Sequence, residues 1–103
     1  MYKLCFFVPE EDAEAVKTAL FASGVGKIGA YDQCCWQTPG KGQFRPLAGA
    51  NPYLGQPGQL EHVAELKIEM VCPDELIHTA VATLKEAHPY EEVAYDVYRL
   101  ADI

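Results

Sequence analysis

Positive charge is scarce in this sequence. Eight Lys and Arg stand against fifteen Asp and Glu, a net charge of −7, and a surface of that sign repels phosphate backbones and anionic lipid headgroups. Nucleic acid and membrane are therefore not expected partners. Long hydrophobic runs are missing too: nothing approaches the roughly 20 apolar residues that span a bilayer. The opening MYKLCFFVPEED has neither a basic stretch nor a small-residue cleavage site, and the cytoplasm is the expected compartment. Zinc-ribbon spacing is absent among Cys5, Cys34, Cys35 and Cys72, and a disulfide between the adjacent pair would be strained, so reduced thiols are expected. There is no Gly-x-Ser-x-Gly elbow and no phosphate loop. Gly24-Val25-Gly26-Lys27-Ile28-Gly29 has the glycine spacing of a dinucleotide fingerprint but follows a helical segment instead of a strand.

What is present is a chain of 103 residues, 50% hydrophobic and 22% charged, enough for one core and too short for two. Residues 1–103 are read as a single domain. Tyr2 to Val8 alternates as a first strand. Pro9 and the acidic run Glu10, Glu11 and Asp12 open a helix with the apolar stripe Ala13, Val16 and Leu20, and Gly24 caps it. Ile28 to Gln37 is read as a second strand. Residues 38–59, with five glycines and four prolines, are read as a long loop between the second and third strands, anchored by Phe44, Leu47, Tyr53 and Leu54. Glu61 to Val71 alternates most clearly and predicts a third strand. Pro73, Asp74 and Glu75 start a second helix, with Ile77, Ala80, Val81 and Leu84 at helical spacing, and Pro89 stops it near Ala87. Glu91 to Arg99 is the last strand.

The order β-α-β-β-α-β, with right-handed crossovers, predicts an α+β ferredoxin-like sandwich: a four-stranded antiparallel sheet with two helices on one face. The other face would mix Lys3, Gln33, Glu65 and Lys67 with Tyr and Val. A symmetric subunit contact explains such a mixture.

The densest chemistry is His88-Pro89-Tyr90-Glu91-Glu92. A divalent metal could take His88 and Glu91, but two ligands fall short of a closed tetrahedral set. The plainer account is that Pro89 stops the helix, Tyr90 packs, and His88 caps the last carbonyls or bonds across a subunit contact. Neither Cys34 nor Cys35 has a basic neighbour fixed by sequence that would make it a nucleophile.

Gly29-Ala30-Tyr31, Cys34, Gly40-Lys41-Gly42-Gln43-Phe44-Arg45-Pro46, Gly49-Ala50-Asn51-Pro52, Glu61, Glu65, Glu69 and His88-Pro89-Tyr90-Glu91-Glu92-Val93-Ala94-Tyr95-Asp96 together resemble the domain inserted in YqfO-type proteins of the Nif-three-like family. Full-length members of that family are two-lobed, dinuclear-metal proteins, often labelled GTP cyclohydrolase type-two homologues. Their metal ligands lie outside the insert, so the resemblance carries no enzymatic or dinuclear-metal role to this chain. The insert in turn is similar to CutA and PII-type signalling proteins, which are ferredoxin-like and trimeric. The resemblance implies a small regulatory or binding module without catalysis of its own, a homo-oligomer with the trimer ahead of the dimer. A small molecule or metal ion would sit in clefts between subunits, lined by Tyr31, Phe44, Arg45, Glu65, His88 and Glu91. The alternative is a metal-dependent hydrolase of the Nif-three-like class, and a purely structural oligomer is the third.

Overall fold

Antiparallel pairing around the first strand organises the chain. A computed structural model describes residues 1–103. Its strands are β1 (Tyr2–Pro9), β2 (Trp36–Phe44), β3 (Glu61–Cys72) and β4 (Tyr95–Arg99), and its helices α1 (Ala13–Ala22) and α2 (Ile77–Ala87). The sheet order is β2-β3-β1-β4, and every pairing is antiparallel. The α+β ferredoxin-like fold read from the sequence is therefore the fold observed.

The alternation in β1 decides which face is covered. Leu4, Phe6 and Val8 face the helices and are fully buried. Register pairs them with Met70, Ile68 and Leu66 of β3. Val16 and Leu20 of α1 and Ala80 and Leu84 of α2 complete the same cluster, so the helical stripes and the strand alternation share one core. Each helix begins with a single 3-10 turn, Glu10–Asp12 or Asp74–Leu76, after a proline. These acidic turns put carboxylates at the positive helix ends.

Two boundaries differ from the sequence reading. The second strand lies at Trp36–Phe44 and not at Ile28 to Gln37. Gly26 and Gly29 have φ of +82° and +55°, and Gln33 has φ of +55°, so residues 26–35 turn repeatedly, and their backbone bond to β3 is the Gly26 N–H on the Val71 carbonyl. The loop expected over 38–59 accordingly begins only after Phe44, because Thr38–Phe44 is the outer strand. Pro39 is tolerated there since an edge strand leaves one row of N–H groups unpaired. Gln33 does not reach the sheet. The last strand is shorter than expected, Tyr95–Arg99 instead of Glu91 to Arg99.

β3 outruns β1. Its residues Glu61–Ala64 pair only with Lys41–Phe44 of β2, whereas β1 takes up Glu65–Cys72, so the two strands project as a ribbon. The molecule measures 46 × 25 × 23 Å with a radius of gyration of 14.5 Å, above the ~13 Å of a compact chain this long.

The core has a direct test. Phe6→Ala, at a fully buried position between the sheet and both helices, is expected to lower the unfolding free energy by about 3–5 kcal/mol. Urea denaturation measures it, and an unchanged midpoint would contradict this packing.

Candidate functional site

The site grows from the end of β1 on the face away from the helices. Here α2 has stopped at Pro89, and the chain must return to β4 through residues 88–94, which have no ladder partner along most of their length. His88 secures the return. Its Nε2 lies 2.7 Å from the Phe7 carbonyl oxygen, and its Nδ1 accepts the Tyr90 N–H at 3.1 Å. A ring nitrogen that accepts an N–H carries no proton, so the proton sits on Nε2 and is donated to Phe7. Burial holds the His88 pKa below its ordinary value, against the opposing pull of the Phe7 carbonyl, Glu65 and Asp12.

Tyr90 is thereby aimed across the sheet. Its hydroxyl donates to Glu65 Oε2 at 2.9 Å. Burial first, and the Glu65 carboxylate second, push its pKa far up, so the phenol stays a proton donor throughout the physiological range. Gly42 on β2 makes room for Glu65, because a Cβ at that position would overlap the carboxylate. The Tyr90 ring meets Phe44 edge-on at 5.8 Å, Tyr53 tilted at 6.1 Å and His88 edge-on at 4.9 Å between centroids.

The loop after β2 folds back to form the remaining wall. Pro46 is buried and its carbonyl accepts the Gly58 N–H at 2.7 Å. The Asn51 N–H donates to Glu91 Oε1 at 2.9 Å. The Tyr53 hydroxyl reaches Asp12 Oδ1 at 3.5 Å, and the Asp12 charge raises the Tyr53 pKa. The open cleft so formed holds about 350 Å³ and is lined by Phe7, Phe44, Tyr53, Glu65, Tyr90 and Glu91, with Gln43, Arg45, Glu92 and several prolines and other apolar residues. That volume suits a small molecule.

Of the residues singled out from the sequence, Phe44, Arg45, Glu65 and Glu91 line this cleft. His88 stands behind it, against the Tyr90 ring. Tyr31 does not line it: this side chain is 75% exposed at the turn closed by the Ile28 and Tyr31 backbone bonds. The expected pairing of His88 with Glu91 around a divalent ion meets a different arrangement, since both His88 nitrogens and one Glu91 oxygen are engaged by backbone. No group of three or more His, Cys, Asp and Glu side chains is arranged to hold a metal ion. Phe7, Tyr53 and Tyr90 join the cleft without having been expected there. Tyr90 had a sequence signal in its place in the dense 88–92 segment and Tyr53 one as an aromatic of the 38–59 loop, whereas Phe7 had none.

No protein-family model matches the chain. It is 44% identical over 102 residues to a protein of Halalkalibacterium halodurans called GTP cyclohydrolase 1 type 2 homolog, covering 99% of this chain and 27% of that one. The crystal structure of a Bacillus cereus protein related to NIF3 superposes with a TM-score of 0.83 at 42% identity, over 98% of this chain and 26% of the other. CutA of Pyrococcus horikoshii superposes with a TM-score of 0.70 at 20% identity, over 100% and 87% of the two chains. The last is a likeness of fold. The chain thus spans about a quarter of the length of the curated relatives it matches and corresponds to one domain of those larger proteins. The resemblance carried by the glycine-rich and His88 segments is borne out. No helix is long and apolar enough to cross a membrane.

Two outcomes follow from the geometry. As pH falls below the ordinary imidazole value of 6.5, the unfolded chain takes up a proton at position 88 that the folded chain resists. The stability contributed by neutral His88 is complete above that pH and is lost below it. In thermal melts, the advantage of the wild type over His88→Gln should therefore shrink between pH 7.5 and pH 5. Gly42→Ala is expected to displace the Glu65 carboxylate and lower the Tyr90 pKa in an ultraviolet difference titration, while the melting temperature moves only a few degrees.

Proposed function

We propose that this chain, the counterpart of one domain of larger NIF3-related proteins, is a self-associating module that binds a small ligand and does no catalysis of its own. The observation that carries the reading is the cleft under the folded-back loop, whose walls come from four separate parts of the chain and in which the Tyr90 hydroxyl and one oxygen each of Glu65 and Glu91 are held by hydrogen bonds within the chain. Such a built cavity suits recognition. Hydrolysis finds less support, because it needs a free base or an activated water, whereas the imidazole and phenol nearest the cleft are committed to Phe7 and Glu65. A divalent ion on His88 Nδ1 would have to displace the backbone donor of Tyr90.

Self-association is supported by the surface that remains. A two-stranded ribbon is marginal by itself in water, yet Lys41–Phe44 of β2 and Glu61–Ala64 of β3 project with no third strand beside them. The sheet face away from the helices exposes Trp36 and Tyr98, at 67% and 55%, among Lys3, Lys67 and Glu69. Covering that face with neighbouring copies would bury these rings and shield the ribbon. A trimer is the assembly we favour, with a dimer second, and the cytoplasm is the setting that fits the four free cysteines.

Light scattering at low micromolar concentration tests the assembly. The expected mass is that of three chains, and Trp36→Lys should shift it downward. The mass of a single chain for the wild type would overturn the oligomeric reading.

A further inference from the structure

The chemistry of the cleft also indicates the kind of ligand. From its rings and charges we infer that it takes a small organic cation, an alkylammonium with a short hydrocarbon body. This inference rests on the reading of the cleft as a ligand site.

Three aspects of the lining converge. Phe44 and Tyr53 meet Tyr90 at interplanar angles of 61° and 50°, so the three rings do not stack face to face on one another, and all three line the cleft. Ring faces attract cations through their quadrupole. Next to them lie the carboxylates of Glu65, Glu91 and Glu92, against one basic side chain, the exposed Arg45. Water screens exposed Arg45, and exposed Glu91 and Glu92 likewise, more than it screens half-buried Glu65, which therefore carries most of the field. Behind the Tyr53 wall, Asp12 gives one carboxylate oxygen to the Tyr53 hydroxyl, while its other oxygen, Oδ2, is buried with no partner. An anionic oxygen shut away from water and left unpaired is costly, and its field adds to that of the lining carboxylates.

A neutral guest would leave this negative surplus unanswered, and an anionic guest would enlarge it. An ammonium placed beside Glu65 answers it and meets the rings at the same time. Most of the rest of the lining, including Ala50, Pro52, Leu54 and Ala94, offers apolar contact to a hydrocarbon chain, and the side-chain donors open to an acid or a phosphate are the exposed Gln43 and Arg45.

Three probes of nearly one shape separate the possibilities: isoamylammonium, isoamyl alcohol and isovalerate, each titrated into the wild type and followed by the NMR signals of Phe44, Tyr53 and Tyr90. The expected result is saturable binding of isoamylammonium at least about tenfold tighter than either other probe. It should weaken about tenfold in Glu65→Gln and about threefold in Glu92→Gln, where the exposed site carries no risk to folding, and stay unchanged in Glu86→Gln on the outer surface of α2. Equal or tighter binding of the alcohol or of isovalerate would overturn the cation assignment while leaving a ligand site. Cation binding indifferent to both Glu65→Gln and Glu92→Gln would likewise overturn it. Silence from all three probes would overturn both the assignment and the ligand-site reading beneath it.

Discussion

The candidate site depends on one buried imidazole. His88 donates to the Phe7 carbonyl and accepts the Tyr90 N–H, so a single ring joins the middle strand of the sheet to the segment that leaves α2. Two backbone groups that irregular structure would otherwise leave unpaired are satisfied at once. With Tyr90 held in place, its hydroxyl fixes Glu65 and its ring supports Phe44 and Tyr53. A neutral ring is needed for both bonds together, because a protonated imidazole has no lone pair to accept the Tyr90 N–H. Burial, which disfavours the charged ring, and the hydrogen-bond pattern thus require the same protonation state.

Around that pin, small residues and prolines have specific tasks. Gly42 gives the Glu65 carboxylate its space. Gly55 and Gly58 adopt φ of +86° and +84°, backbone that side-chain-bearing residues avoid, and they let the loop turn back towards the sheet. Buried Pro46 seats the loop at its start. A stretch whose composition looks like that of a linker is in this way ordered by contacts with residues 12 and 91, far away in sequence.

The elements with strong periodicity were legible without a structure. Both helices, β1 and β3 follow from apolar spacing, acidic first turns and Pro89, because those signals act locally and agree with the packing. β2 was not legible, because Pro39, Gly40 and Gly42 argue against a strand by every propensity; an edge position and contact with β3 override them. The region 26–35 misled in the opposite direction, since Tyr31, Cys34 and Cys35 favour a strand while Gln33 adopts a left-handed turn that its type does not announce. Within the site, Phe44, Arg45, Glu65 and Glu91 were reachable from the sequence. Phe7 and Tyr53 were not, because their roles are created by a fold-back of the loop onto the sheet, a contact between distant residues that no local pattern encodes.

The pairing of β1 with β4 bears on how such a unit joins a longer chain. Tyr2 faces Arg99 across the sheet, and the Leu100 N–H bonds the Met1 carbonyl at 3.1 Å. Adjacent strands lie about 5 Å apart, so the backbone enters and leaves through nearly the same point. A surface turn of another protein could be opened at that width and this unit spliced in with little strain on the host's own packing. Its ribbon and cleft would be carried on a stalk of two neighbouring strands.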